Sequence, residues 1–128
     1  MRKEAELWVE DAEYDIGCAK DMLSKKRYNY AVFLSRQSVE KMLKASYLYI
    51  IKKPFPKEHN LITIAKTIFK TVENKIMDDI IFLNPHYTIT RYVDSALDIP
   101  SRLYNKGFAE ECIKKAEEVN RWIKKKMH

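Results

Sequence analysis

Glycine is almost absent from this sequence, and several familiar catalytic motifs are absent with it. The 128 residues contain only Gly17 and Gly107, so glycine cannot build a loop that wraps a phosphate group. Cys-x-x-Cys, His-Glu-x-x-His and Gly-x-Ser-x-Gly are also missing. These absences exclude nucleotide hydrolases, metalloproteases and serine hydrolases that depend on those motifs. Any anion binding must use lysine or arginine side chains, or helix N-termini.

Cysteine and histidine are too sparse to suggest a metal site. Cys18 and Cys112 stand alone in predicted helices, and the three histidines are His59, His86 and His128. None of these residues has a second His or Cys at helical ligand spacing. We therefore expect no metal and no cofactor. Free thiols are the favoured state of the two cysteines, with a structural disulfide as the alternative.

Long hydrophobic runs are missing as well. The longest mainly apolar run covers residues 45–51, whereas a membrane span needs about 20 residues. The N-terminal stretch is acidic and amphipathic, unlike a signal or transit peptide. We expect no membrane association and a cytoplasmic location. The formal net charge of +6 permits an acidic partner such as RNA without requiring one.

What the sequence does contain is helical periodicity over one domain, residues 1–128. Apolar residues recur every three or four positions, and the 46% hydrophobic and 33% charged composition fits a helical fold. The pattern predicts helices at residues 3–24, 28–53, 60–69, 75–83 and 107–126. Asn29 and Asn60 are the expected N-caps of the second and third helices.

The second predicted helix, residues 28–53, is apolar around most of its circumference. Such a helix needs neighbours on several sides, so we place it at the centre of a bundle. Polar residues lie within its apolar pattern: Arg36, Gln37, Glu40, Lys41 and Lys44. Any of them that are buried must be hydrogen-bonded, because an unpaired buried charge is costly.

Residues 86–100 sustain no helical period and are predicted to form an ordered, irregular loop. This loop is rich in aromatic and basic residues, including Tyr87, Arg91 and Tyr92, and contains no glycine. Aromatic rings beside an arginine can stack on a base and hold a phosphate. The alternative is that both tyrosines plug the end of the bundle while Arg91 pairs with an acid such as Glu40.

An ordered set of segments resembles the HEPN domain family. It comprises WVEDAEYDIGCAKDML in the first helix, YNYAVFLSRQSVEKMLKA in the central helix, HNLITIA after the proline loop, and Tyr87 with TRYVD at residues 90–94. The central pattern Gln-x-x-Glu-Lys-x-x-Lys-Ala covers residues 37–45. The resemblance spans nearly the whole chain, from Trp8 to about Ile123.

The resemblance implies an all-α, up-and-down bundle of four or five helices. It further implies a homodimer in which the central helices approach each other, a role with nucleotides or RNA, and a minimal nucleotidyltransferase as partner. Many members of the family are toxin ribonucleases built around Arg-x(4–6)-His. No histidine follows Arg91 or Arg102 at that spacing. We therefore favour a non-catalytic module and name no catalytic residue.

Two hypotheses stay open at this stage. The first is a nucleotide- or RNA-binding interaction module of a toxin–antitoxin-like system. The second is a ribonuclease toxin in which His59 or His86 replaces the missing histidine. The candidate ligand-binding residues are Gln37, Glu40, Lys41, Lys44, His59, Tyr87, Arg91 and Tyr92. For the central-helix members the alternative role is an internal network that fixes helix register or the dimer, and for His59 it is capping or packing.

Overall fold

The computed structural model describes residues 2–128, which form helices joined by turns. The α-helices are α1 (Arg2–Ser24), α2 (Tyr28–Ile50), α3 (Leu61–Ile68), α4 (Asn74–Leu83), α5 (Val93–Ala96) and α6 (Lys106–Lys126). A 3₁₀ turn covers Pro100–Arg102, and this part of the chain contains no strand. The predicted all-α class is confirmed: five helices have at least two turns, and α5 is a single turn.

Helix α2 lies at the centre of the bundle, as its two apolar rows predict. It packs against α1, α6 and α3, and no residue from 31 to 49 is exposed. Val32, Val39 and Leu43 are completely buried. Burying a side chain of this size stabilises the fold by about 1.5–3 kcal/mol. The α2 positions are therefore fixed by hydrophobic contacts on three sides.

A buried series of hydrogen bonds connects α6, α2 and α1 inside the core. The side-chain amide of Asn120 donates to Ser38 Oγ at 2.9 Å, and the Ser38 hydroxyl donates to the Ala12 carbonyl at 2.6 Å. Both polar side chains are buried, and the hydrogen bonds offset part of their loss of solvation; within residues 2–128 the Asn120 Oδ1 atom has no hydrogen-bond partner. This series of hydrogen bonds fixes the register of the three long helices.

The helix ends agree with the sequence in some places and differ in others. Asn60 caps α3, accepting hydrogen bonds from the backbone N–H groups of Ile62 and Thr63 at 3.0 and 3.1 Å. The prediction of Asn29 as a cap is wrong, because α2 begins after Arg27 and the Asn29 side chain donates to the Thr90 carbonyl instead.

Helix α2 is also shorter than predicted, ending at Ile50 rather than at residue 53. Lys52 adopts a left-handed backbone with φ 61° and turns the chain out of the helix. Pro54 contributes to the early stop, because it has no N–H to donate to the Ile50 carbonyl four residues earlier and it disfavours helical geometry at Lys53.

Residues 86–100 are more regular than predicted. Turns run through residues 84–91, and α5 and the 3₁₀ turn follow. Leu97 ends α5 with a left-handed φ of 55°. The two cysteines are free thiols, with Cys112 buried and Cys18 half-buried. The prediction of free thiols is therefore confirmed over that of a disulfide.

Candidate functional site

The most concentrated polar cluster of the molecule centres on Arg36, halfway along α2. Its side chain is 2% exposed. The guanidinium Nη1 donates to Glu40 Oε1 at 2.8 Å and to Gln37 Oε1 at 2.9 Å. Burial lowers the pKa of Arg36, while the hydrogen bond and charge of Glu40 work in the opposite direction. The arginine nevertheless stays charged, since its ordinary value is far above neutral pH.

Arg36 also holds two chain segments against α2. Its Nε donates to the Asn84 carbonyl at 3.0 Å, and its Nη2 donates to the His59 carbonyl. Asn84 follows α4, and its side-chain oxygen accepts from the Leu61 backbone N–H at 2.8 Å. The end of α4 and the start of α3 are therefore positioned through one buried guanidinium.

Glu40 connects this buried pair to the surface through His59. Glu40 is 5% exposed, and its Oε2 lies 2.9 Å from His59 Nδ1. The His59 side chain is 56% exposed. Its ring stacks on Tyr87 with 4.9 Å between ring centroids and 20° between planes. Arg36 lies over the same tyrosine ring, 4.6 Å from its centroid.

Arg91 completes the cluster from the loop. Its guanidinium lies 4.1 Å from the ring centroid of Phe33, 5.0 Å from that of Tyr87 and 4.8 Å from that of Tyr92. The Nε and Nη2 atoms both donate to the Tyr87 carbonyl, at 3.0 and 2.9 Å. Arg91 thus packs among rings and does not pair with Glu40, which is engaged by Arg36.

The two lysines expected in the same site lie on the α1 side of α2. Lys41 Nζ pairs with Asp11 at 2.8 Å and with Asp15 at 2.9 Å. Burial alone would lower the pKa of Lys41, but the hydrogen bonds to these carboxylates outweigh it and raise the value. Lys44 lies over the rings of Trp8 and Phe55, at 4.5 and 4.7 Å. Both ammonium groups already have partners.

His86, the histidine of the loop, is half-buried and packs against aromatic neighbours. Its Nδ1 lies 2.8 Å from the Tyr104 hydroxyl, and its ring meets Phe108 edge to face. Burial raises the pKa of Tyr104 to about 12, so the phenol stays protonated and donates to His86. Burial lowers the pKa of His86, and the Arg36 charge lowers it further. The imidazole is therefore neutral at pH 7.

The structure brings together six of the eight candidate residues: Gln37, Glu40, His59, Tyr87, Arg91 and Tyr92. Lys41 and Lys44 stay apart from them, facing α1 and the proline loop. Arg36 is the central residue that the candidate set omitted. Its position four residues before Glu40 was the available signal, because opposite charges at that spacing share a helix face.

The exposed chemistry of this cluster is aromatic rather than acidic or metal-binding. The rings of His59 and Tyr92 are exposed to solvent. Arg36 and Arg91 pack beside the cluster and donate hydrogen bonds mainly to protein acceptors. Within residues 2–128 no group of three His, Cys, Asp or Glu side chains could hold a metal ion. Stacking on a flat ligand is the chemistry that this surface offers best.

Comparison with known proteins identifies the fold family. The profile of the HEPN domain matches residues 5–126. The chain belongs to the HEPN domain family. A relative from Methanocaldococcus jannaschii carries the name "Putative toxin MJ1304"; it is 33% identical over 95% of this chain and 87% of its own length. Across residues 2–128 of this HEPN protein, none of the helices combines the length and the apolar character needed to cross a membrane.

Solved structures support the same assignment. The archaeal HEPN homologue ST0689 superposes with a TM-score of 0.79 and 26% identity, covering 97% of this chain and 98% of its own. TT1696 from Thermus thermophilus reaches a TM-score of 0.88 at 24% identity, covering 98% and 99% of the two chains. A HEPN domain protein from Thermotoga maritima reaches 0.68 at 22%, covering 92% and 94%. The latter two establish shared fold only.

Replacing Arg36 by methionine should severely destabilise this HEPN domain. The change leaves the Glu40 carboxylate buried without its guanidinium, which costs about 3–5 kcal/mol of unfolding free energy. Urea denaturation measures the difference. The control is Arg102→Met. Arg102 is exposed, and its ion pair with Asp98, at 3.8 Å, is a surface pair that contributes little to the free energy of unfolding. Equal stabilities of the two variants would contradict the role given to Arg36.

The lowered pKa of His86 predicts a loss of stability on acidification. The unfolded histidine takes up a proton near pH 6.5, while the folded one resists it, so the unfolded state binds more protons as the pH falls. The unfolding free energy should therefore decrease from pH 7 to pH 5.5. His86→Asn keeps an acceptor for Tyr104 and should flatten this slope in urea titrations. An unchanged slope would mean that His86 is not the responsible group.

Proposed function

We propose that this HEPN protein is a non-catalytic module that binds a nucleotide or RNA. The observation that carries the proposal is the stack of His59 on Tyr87, whose ring is also contacted by the guanidinium groups of Arg36 and Arg91. One face of His59 is covered by Tyr87, and its side chain is still 56% exposed, which leaves ring surface for a base. Base–aromatic stacking contributes about 1–3 kcal/mol per base.

The state of the polar groups favours binding over catalysis. Arg91 donates from Nε and Nη2 to the Tyr87 carbonyl, so two of its five N–H groups are already engaged and its orientation is set by the protein and not by a reacting phosphate. His86 is half-buried and its Nδ1 is engaged by the Tyr104 hydroxyl, which disfavours a role for that nitrogen as an acid or base. With no histidine at the family spacing after Arg91, an acid/base pair of the ribonuclease type is lacking.

A homodimer is part of the same proposal, with the central helices approaching each other. The least covered strip of α2 starts at Tyr30, which is 46% exposed, and continues through the half-buried Phe33, Leu34 and Gln37. A two-fold axis beside this strip would bring two copies of α2 together and place the two Tyr87 stacks near one another.

The proposed partner is a minimal nucleotidyltransferase in a toxin–antitoxin-like system of the cytoplasm. Support comes from the family membership and from the toxin name of the Methanocaldococcus relative. The proposal predicts a minimal nucleotidyltransferase gene beside this one, and co-expression of the two proteins tests this part directly. A complex that survives affinity purification and gel filtration is the expected result, and separate elution of the two proteins would contradict it.

Truncating the stack should weaken binding of a fluorescently labelled single-stranded RNA or a nucleotide. We expect Tyr87→Ala and His59→Ala to raise Kd by about 5- to 150-fold, the equivalent of one lost stacking contact. Fluorescence anisotropy measures Kd for RNA, and calorimetry does so for nucleotides. Tyr14→Ala is the control, because Tyr14 is 69% exposed on α1 and outside the cluster. If all three variants bind equally, the stack is not the site.

A charge placed on the open strip of α2 should split the dimer. We expect a mass of twice 15.2 kDa for the parent chain and 15.2 kDa for Tyr30→Glu in sedimentation equilibrium. Two buried carboxylates facing each other across the axis cost solvation and repel. Ile81→Glu is the matched control, because Ile81 is 49% exposed on α4. A parent that sediments as a monomer, or a dimer in both variants, would contradict the α2 interface.

The alternative is a ribonuclease toxin that uses a non-standard Arg/His pair. His59 favours this alternative, since it is exposed and separated from Arg91 only by the Tyr87 ring. Induced expression decides between the two. A toxin arrests growth, and His59→Gln and Arg91→Ala both restore it. Growth that is unaffected by the parent chain supports the binding module.

A further inference from the structure

A second cleft, outside the Arg36 cluster, lies where α1 ends and α2 and α6 begin. Its volume is about 460 Å³. The lining residues are Lys20, Leu23, Ser24, Lys26, Tyr28 and Lys106. Three of the six are lysines, and no carboxylate is among them. A cleft with this lining carries a positive potential and is within the size range of small-ligand sites.

Within residues 2–128, one of the three lysines of this cleft is engaged in an ion pair. Lys20 pairs with Glu117 at 3.0 Å at the rim. For Lys26 and Lys106, no carboxylate within residues 2–128 approaches the ammonium to 4 Å. Neither α2 nor α6 has an acid in its first turn, and Arg27 at the start of α2 provides no side-chain cap. The positive ends of α2 and α6, the latter capped by the Asn105 side chain, therefore add to the lysine charges, while the negative end of α1 offsets part of this addition.

Lys26 occupies a position where its side chain is unfavourable for the backbone. Its φ is 62°, and the turn closes through hydrogen bonds from Lys26 N–H to the Leu23 carbonyl and from Arg27 N–H to the Met22 carbonyl. Glycine is the usual residue at this point of such a helix end. A lysine here adopts a backbone conformation that is unfavourable for it, and its side chain contributes a positive charge to the lining of the cleft.

We propose that this cleft binds a small polyphosphate, that is, a ligand with at least two linked phosphate groups. A single phosphate would leave most of the volume empty, while several linked phosphates can contact separated ammonium groups at once. Lysines are point charges with freely rotating donors, which suits phosphate oxygens without a fixed geometry. The ligand shares no contact residue with the proposed base-stacking site.

Calorimetry with sodium tripolyphosphate at low ionic strength tests the proposal on the full chain. We expect saturable 1:1 binding that weakens with added salt. Lys26→Gly and Lys106→Gln should each raise Kd roughly fivefold or more, as expected for one charge near 4 Å in water. Lys26→Gly also relieves the backbone, so its Tm should equal or exceed that of the parent and exclude unfolding as the cause.

Lys70→Gln is the matched control, because Lys70 is exposed after α3 and its loss changes the net charge equally. Unchanged affinity in Lys70→Gln supports a defined cleft. A similar loss in all three variants would overturn the proposal in favour of diffuse attraction to a basic protein. Orthophosphate that binds as tightly as tripolyphosphate would overturn the polyphosphate class. If a single-stranded RNA without terminal phosphates binds the cleft and tripolyphosphate does not, the cleft would be assigned to nucleic acid instead.

Discussion

The buried ion pair between Arg36 and Glu40 is the interaction on which the candidate site depends. Taking both charges out of water is expensive, and it is tolerated because nearly every donor of the guanidinium has a partner. Those partners come from different parts of the chain: α2 itself, the residue before the α3 cap, and the residue after α4. Hydrophobic contacts hold the helices together without strong direction, whereas this guanidinium fixes where two loops sit. His59 and Tyr87 can stack because their backbones are positioned through it.

Much of the fold follows from short-range rules that the sequence displays. Periodicity of 3.6 residues marks the helices, Asn60 marks the start of α3, and Pro54 requires that α2 stop before it. Those rules do not reveal whether a polar side chain bonds to a nearby backbone group or to a distant one. Asn29 has the side chain of a good cap, yet it bonds to the Thr90 carbonyl, 61 residues away. Similarly, Leu97 ends α5 in a left-handed conformation that no local propensity favours.

The sequence predicted which face of the helix each candidate residue occupies, but not which residues it contacts. Periodicity placed Gln37, Glu40, Lys41 and Lys44 on one side of α2, which is correct to within about a quarter of the helix circumference. That angular range is wide enough for two different neighbours. Arg36 and Glu40 meet α3 and the loop, while Lys41 meets the carboxylates of α1. Sequence reasoning could not assign Arg91 to the rings rather than to Glu40, since it could not reveal that Arg36 had already taken the acid.

Basic side chains with protein partners and basic side chains without carboxylate partners lie in different parts of the described chain, residues 2–128. The two regions therefore suit different kinds of ligand. Around Tyr87 both arginines are engaged by carbonyls, a carboxylate or rings, so a ligand there gains less from its charge and more from its flat surface. At the junction of α1, α2 and α6 the situation is reversed. No carboxylate in the described part of the chain, residues 2–128, pairs with Lys26 or Lys106, so a ligand would gain from its negative charge. A net charge of +6 therefore does not describe an evenly basic surface. If both proposed sites operate, aromatic stacking and phosphate binding reside in different parts of the bundle, and a variant that removes one should leave the other intact.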